Sequence, residues 1–261
     1  MPVAEVNGQS ITYSDSGGDG KALLFSHGFL MDHTMFDEQV ASLSETYRCI
    51  AWDERGFGDT PATEPFTYWD SAADAVALLD HLDIDEAVFI GMSQGGFLSL
   101  RAALANPERV RALVLIDSRA GQDDAETLAG YQGMIDHWLS DAPLGEVGQF
   151  VAGLILGEPT LNETWIAKWE ARDRSTMALP AQTLLTRDDI SDRMGEIQCP
   201  VLSIHGEADQ SIDISHAEEL QAAVPHSRGL VRVPGAAHAP NMTHPEIVNP
   251  ALGAFLNQLD S

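Results

Sequence analysis

One short segment limits the folds open to this chain more than any other. The apolar run Ala87–Ile90 leads directly into Gly91-Met92-Ser93-Gln94-Gly95, and Phe97–Ala105 behind it can form a helix. A G-x-S-x-G sequence between a strand and a helix makes a strained, sharp turn that lifts the serine hydroxyl above the sheet edge. Its glycines allow the crowded backbones to approach, and Gly96 leaves further room.

The remainder of the chain repeats this alternation. Arg48–Trp52, Ala112–Ile116 and Val201–His205 are short and apolar on both faces, the mark of buried parallel strands. Ala72, Ala75, Val76, Leu79 and Leu82 fall on one stripe of a helix. These patterns predict an α/β fold with a mostly parallel central sheet flanked by helices. Ahead of it, Val3–Val6, Ser10–Ser14 and Ala22–Ser26 read as strands, the first two joined as a hairpin through Asn7-Gly8. Leu230–Val233 reads as the last strand. Between about Gly121 and Gly195 the strands stop. Val147, Phe150, Val151, Leu154 and Ile155 recur at helical spacing there, as do Trp165, Ile166 and Trp169. An all-helical cap over 121–195, inserted into a core of 1–120 and 196–261, is the expected organisation. His244-Pro245-Glu246 reads as a helix start, and Pro250 is expected to kink that helix or to begin a new one capped by Asn249.

Length and charge narrow the function. The 261 residues suffice for one large domain or one domain with an inserted subdomain. Fourteen basic residues against forty acidic ones give −26, a field that repels nucleic acid and anionic membrane surfaces. No apolar run approaches the roughly 20 residues of a membrane span, and Met1–Tyr13 lacks the basic start and apolar core of a secretory signal. A cytoplasmic location is therefore expected. Cys49 and Cys199 lie in apolar stretches, form no metal motif and read as small buried hydrophobes.

A hydroxyl needs a base to become a nucleophile near neutral pH. Of nine histidines, His238 is the first choice, because Gly235-Ala236-Ala237-His238 forms a small-residue loop just beyond the last strand. His244 reads as a helix cap, and His205, ending a strand, as a buried side chain. An acid must then fix the imidazole tautomer. Asp209, in the loop after Val201–His205, is preferred over Asp117 at the end of Ala112–Ile116, whose ordinary role is a strand-end hydrogen bond. Two N–H donors are needed for the oxyanion: the backbone of Gln94, next to Ser93, and that of Phe29 in His27-Gly28-Phe29. His27 itself reads as the histidine that holds this loop.

His27-Gly28-Phe29, Asp53-Glu54-Arg55-Gly56-Phe57-Gly58, Gly91-Met92-Ser93-Gln94-Gly95-Gly96, Gly206-Glu207-Ala208-Asp209 and Gly235-Ala236-Ala237-His238 run in order along almost the whole chain. Together they resemble the α/β-hydrolase superfamily, especially small esterases and enol-lactone and C–C bond hydrolases. The resemblance implies the chain order Ser93, Asp209, His238 for the catalytic set and structural roles for Asp53 and Arg55. Similar dehalogenases and epoxide hydrolases carry aspartate where this chain has Ser93, so those activities are disfavoured.

The expected activity is hydrolysis of small or medium carboxylic esters through an acyl-enzyme, without metal or cofactor. The alternatives are an enol-lactonase or C–C bond hydrolase, and a ligand receptor that keeps the fold without catalysis. Peroxide in place of water would make the same site a perhydrolase. Met92, Arg119 and Trp138 are the candidate substrate contacts. Arg119 would suit a carboxylate-bearing substrate, although a surface arginine is the more ordinary reading. Trp138, Phe150, Trp165 and Met177 are aromatic or Met residues of a kind that more often serve packing.

Overall fold

Asn7 and Gly8, with φ of 50° and 74°, turn the chain between β1 (Val3–Val6) and β2 (Gln9–Asp15). Val6 pairs with Gln9 across this two-residue loop, which fits the left-handed backbone that Asn-Gly adopts readily. The computed structural model describes residues 1–260. After this hairpin come β3 (Ala22–Ser26), α1 (Asp37–Leu43), β4 (Arg48–Trp52), α2 (Tyr68–His81), β5 (Ala87–Met92), α3 (Gln94–Ala105) and β6 (Val110–Ile116). Four helices follow with no strand among them: α4 (Ala125–Trp138), α5 (Gly145–Ile155), α6 (Pro159–Ala171) and α7 (Ala178–Leu185). The sheet resumes with β7 (Val201–Gly206), α8 (Ser215–Ala223) and β8 (Ser227–Val233), and the chain ends in α9 (Pro240–Thr243) and α10 (Pro245–Asp260).

The eight strands lie in the order β1-β2-β4-β3-β5-β6-β7-β8. Only the β1–β2 and β2–β4 pairings are antiparallel; every pairing from β4 to β8 is parallel. Parallel strands deliver all their carboxyl ends to one edge, so the loops after β3, β5, β6, β7 and β8 converge there. This convergence places the site.

Side chains alternate between two cores as the two-residue period requires. Val88, Ile90, Met92, Val114 and Ile116 face a core shared with Leu43 of α1 and with Val248, Leu252 and Phe255 of α10. Phe89, Leu113 and Leu115 face the opposite core with Leu79 of α2, Leu98 of α3 and Leu220 of α8. Trp138, Val151, Ile155, Trp165 and Trp169 join the first of these cores, so the four-helix block is packed onto the sheet domain. Polar ties reinforce that seam. The Trp169 indole donates to the Leu30 carbonyl (2.7 Å), and Asp32 accepts from Arg172 (3.0 Å) and Lys168 (3.2 Å).

At the C-terminus the structure excludes one of the two sequence-based alternatives, a fresh helix capped by Asn249. A single helix runs from Pro245 through Pro250 to Asp260, and none starts afresh at Asn249. Proline at this position forfeits one backbone donor near the helix start, where the deprived carbonyl belongs to exposed Glu246 and can be hydrated. Asn249 instead binds sideways to α1, accepting from Gln39 (2.7 Å) and donating to the Glu38 carbonyl (3.2 Å). Cys49 is buried, but Cys199 is only half-buried, and both thiols are free. Among the described residues, no helix is long and apolar enough to cross a membrane.

Candidate active site

Ser93 sits between β5 and α3 with φ 51° and ψ −115°, a conformation that side chains other than glycine rarely adopt. Its backbone N–H is held by the Ile116 carbonyl (2.8 Å), and its own carbonyl accepts from the Ser118 hydroxyl (2.8 Å). The glycines around it are sterically required. A Cβ at Gly91 would overlap the Gly95 carbonyl, one at Gly95 would overlap the Ser26 carbonyl, and one at Gly96 would strike the Ser118 hydroxyl. The turn is thus clamped on three sides, and only a chain with glycine at those places can make it.

His238 follows β8. Its Nδ1 donates to Asp209 Oδ2 at 2.7 Å, which leaves Nε2 as the ring nitrogen outside the carboxylate contact. The two loops carrying these residues are in register with each other: Glu207 N–H donates to the Val233 carbonyl (3.0 Å) and Ala208 N–H to the Ala236 carbonyl (2.9 Å). Asp209 Oδ1 receives the N–H groups of Ser211 (2.7 Å) and Ile212 (3.2 Å). Burial would raise the Asp209 pKa. The charge of His238 and hydrogen bonds from His205, His238 and Asp117 outweigh it and hold the carboxyl well below the usual carboxylate range.

Asp117, the other acid considered from sequence, stands behind Asp209 rather than beside the imidazole. It is fully buried and accepts the Gly206 N–H (3.0 and 3.3 Å). Burial, the Asp209 charge and a hydrogen bond to Asp209 push its pKa well up. Two carboxyls in one dry pocket share a single negative charge most cheaply, with the proton on Asp117 donated to Asp209. Asp117, His205 and Asp209 bring potential ligand atoms within 4.8 Å of one another. The donor set does not suit a cation, however. His205 Nε2 lies 2.8 Å from the Ile212 carbonyl and must carry a proton to bond it, so it has no lone pair to offer.

Phe29 lies on the loop after β3. His27 fixes this loop in its Nδ1–H form, donating to the Gly28 carbonyl (2.8 Å) while Nε2 accepts the Glu54 N–H (3.0 Å). Burial lowers the His27 pKa against the pull of Asp53, in keeping with a neutral ring. Gln94 opens α3, so its N–H belongs to the first turn, whose donors have no partner within the helix. Its side chain is held from behind by Tyr68 Oη (3.2 Å) and by Glu54 (3.2 Å). Asp53 and Arg55 are both structural: Asp53 accepts from His33 (2.7 Å) and from Asp59 N–H (3.0 Å), and Arg55 pairs with buried Asp74 (2.5 Å).

Ser93 and His238 open into one cavity of about 80 Å³, whose other walls include Phe29, Met92, Met134, Val151, Leu154 and Ile155. Arg119, Asp123, Tyr131 and Arg187 also line it. Of the three substrate contacts expected from sequence, the structure brings Met92 and Arg119 to this cavity. Arg119 is a buried residue there, not a surface arginine. Trp138 is elsewhere: it packs edge-on against Trp169 (5.3 Å between centroids) and borders a separate depression of about 130 Å³ with Phe57 and Met177. For Trp138 it is the ordinary packing role, not substrate contact, that the structure shows. Phe150 is 65% exposed and touches neither. Asp123 and Arg187 went unnoticed in the sequence, because no local pattern marks a charged residue beside a helical stretch as buried.

The sequence model of the alpha/beta hydrolase fold matches residues 21–245. The chain is an α/β-hydrolase. This hydrolase is 30% identical to the non-heme chloroperoxidase of Streptomyces lividans, over 97% of its own length and 98% of the relative's. It is 26% identical to 3-oxoadipate enol-lactonase 2 of Acinetobacter baylyi, over 96% and 94% of the two chains. A thermophilic esterase from Thermogutta terrifontis, solved with malate bound, superposes with a TM-score of 0.91 at 25% identity and 100% coverage of both chains.

Proposed function

We propose that this α/β-hydrolase is a serine hydrolase of small or medium carboxylic esters, working through an acyl-enzyme. The observation that carries the reading is that Ser93 and His238 line one cavity, while His238 Nδ1 is tied at 2.7 Å to a carboxylate held in its ionised form. In this reading His238 Nε2 takes the Ser93 proton as the hydroxyl attacks the carbonyl. The tetrahedral oxyanion lies between the N–H groups of Phe29 and Gln94. His238 then protonates the departing alcohol, and a water deprotonated by the same nitrogen releases the acid. Asp209 orients the imidazole and balances its charge. Residues 121–195 act as a cap that closes the cavity over the core of 1–120 and 196–261.

A lactone is an internal ester and opens by the same steps, so the kinship with an enol-lactonase favours lactones as a second substrate group. Hydrogen peroxide in place of the deacylating water would give a peracid, and the likeness to a non-heme chloroperoxidase makes this a side reaction worth assaying.

The test is labelling with a fluorophosphonate, mapping of the adduct by mass spectrometry, and turnover of p-nitrophenyl esters of rising acyl length. The expected adduct is on Ser93, with turnover greatest for short acyl groups. An adduct on another residue refutes the assignment, and an adduct on Ser93 without turnover of any ester favours a receptor.

A further inference from the structure

The cavity that holds Ser93 and His238 also carries a buried charge cluster that ester hydrolysis does not use. Arg119, Asp123 and Arg187 have side chains only 8%, 1% and 3% exposed, and all three line the cavity. Arg187 Nη1 lies 2.6 Å from Asp123 Oδ2, and Arg119 Nη2 contacts Asp123 Oδ1. Among these three side chains two guanidinium groups and one carboxylate leave a formal +1, with Asp189 acting on both guanidinium groups from nearby, in a chain whose fourteen basic residues face forty acidic ones. A surplus cation is expensive to bury, so this one stands out against the overall charge.

The cluster is also poorly satisfied. Arg119 Nε, Arg187 Nε and both oxygens of Asp123 lack a well-directed hydrogen bond. Asp123 meets each guanidinium at an Nη while neither Nε has a partner, whereas guanidinium groups bind carboxylates best edge-on through two parallel N–H bonds. The remaining contacts are modest: Arg119 Nη1 faces His216 Nε2 at 3.3 Å, Arg187 Nη2 reaches the Gly121 carbonyl at 3.1 Å, and the Arg187 guanidinium lies 4.6 Å over the Phe97 ring. Burial and the neighbouring charge of Arg187 bring the Arg119 pKa down to about 10, and burial lowers that of Arg187. Both groups still carry their charge at neutral pH, and the two share the single carboxylate of Asp123.

We infer that Arg119 and Arg187 form an anion subsite for a free carboxylate on the substrate, with Asp123 as a resident counter-ion that keeps the cluster folded when the cavity is empty. The substrate class is then a half-ester of a dicarboxylic acid or a lactone bearing an acid side chain. This deepens the serine hydrolase reading and rests on it. A purely architectural role, tying the segment after β6 to the segment after α7, predicts no preference for charged substrates.

The experiment compares isosteric pairs by pH-stat. Monoethyl succinate, glutarate and adipate carry the carboxylate on the acyl side, and O-acetylglycolate and 3-acetoxypropanoate carry it on the alcohol side. Each is set against the neutral ester with isopropyl in place of carboxylate, such as ethyl 5-methylhexanoate for monoethyl glutarate. For at least one pair, kcat/KM should favour the acid by about tenfold or more, the size of a charge-assisted hydrogen bond. Arg119→Gln and Arg187→Gln should bring that ratio toward one through KM, and Asp123→Asn should raise it, a gain that a misfolded protein cannot mimic. A wild-type ratio near one for every pair overturns the inference without recourse to any variant, and so does a ratio that both Gln variants leave unchanged. If Ser93 takes the fluorophosphonate while those ratios stay near one, the subsite fails and the hydrolase stands; absence of the Ser93 adduct fails the hydrolase reading itself.

Discussion

The two walls of the cavity are built on different terms. The sheet-side wall is made by the loops after β3, β5 and β8, and backbone geometry dictates its residues. Gly91 and Gly95 have no room for a Cβ, Ser93 holds a positive φ, and the loops of Asp209 and His238 are bonded to each other. The helix-side wall offers Met134, Val151, Leu154 and Ile155, side chains that many apolar residues could replace at similar volume. One wall fixes the position of reacting atoms and the other fixes the shape of what reaches them. Substitutions should therefore separate into losses of kcat on the sheet side and changes of KM and chain-length preference on the helix side.

The largest expected effects are on the sheet side. Ser93→Ala and His238→Ala should each lower kcat by about 10⁴-fold or more, and Asp209→Asn by about 10⁴-fold, because an amide selects the wrong imidazole tautomer. Single-turnover kinetics with a p-nitrophenyl ester measure this, with circular dichroism to confirm the fold. If Asp209→Asn retained activity within tenfold of the parent, the carboxylate would have no orienting role, and the difference between the walls would narrow to Ser93 and His238.

Next comes a steric test. Gly95→Ala puts a methyl into the Ser26 carbonyl, so β3 and α3 must separate or the turn must relax. The expected cost is about 1–3 kcal/mol, the range for overpacking, read from urea unfolding, together with a fall in kcat. Gly253→Ala in α10, where a Cβ meets nothing within 4 Å, is the control and should not destabilise. Equal effects at the two positions would mean the turn is less constrained than its geometry indicates.

This difference in constraint also explains what could be read in advance. The strands at Arg48–Trp52, Ala87–Ile90 and Val201–His205 were legible because a strand buried on both faces has to be apolar throughout. Ser93 and Asp209 were legible as candidates because each follows such a strand, and His238 because a small-residue loop carries it past the last one, β8, which is itself only partly buried. Arg187 was not. Its burial depends on Asp123 and Phe97, 64 and 90 residues away in sequence, which no local period records. Trp138 was legible only as contact or packing, since residue type carries no information about which neighbours the helix meets, and the structure shows packing. Pro250 was read by its local cost alone, whereas packing of Val248, Leu252 and Phe255 holds α10 together across it.

On the helix side the effects should be smaller and of another kind. Leu154→Ala enlarges the cavity without touching Ser93 or His238, and the added space suits about two more methylenes of acyl chain. The optimum should move to longer esters, with kcat/KM for those rising by up to about tenfold, within the 1–3 kcal/mol that one methylene can discriminate. An acyl series from acetate to octanoate measures it. A change in kcat without a change in chain-length preference would place Leu154 functionally with the sheet side.

The smallest expected effect falls on a carboxyl of the sheet side itself. Asp117→Asn preserves what a protonated Asp117 supplies, an oxygen to accept the Gly206 N–H and a donor to Asp209, so kcat at neutral pH should stay within about threefold, or about 0.7 kcal/mol. Stability should still respond to pH, and the two acids do so with opposite sign. Asp209 has a folded pKa below its unfolded value of roughly 3.9, so its stabilisation is complete above that pH and is lost as pH falls through the folded value. Asp117 has a folded pKa well above roughly 3.9, so its contribution is complete below that pH and declines as pH rises toward and through the folded value. The asparagine variant lacks that decline. Its Tm relative to the parent should therefore climb as pH rises above about 4 and level off once Asp117 ionises in the folded protein, measured by calorimetry from pH 4 to pH 9 in low-ionisation-enthalpy buffers. A constant Tm difference across this range would mean that Asp117 is ionised in the folded protein, and Asp209 would then be held by two neighbouring histidines against a second negative charge.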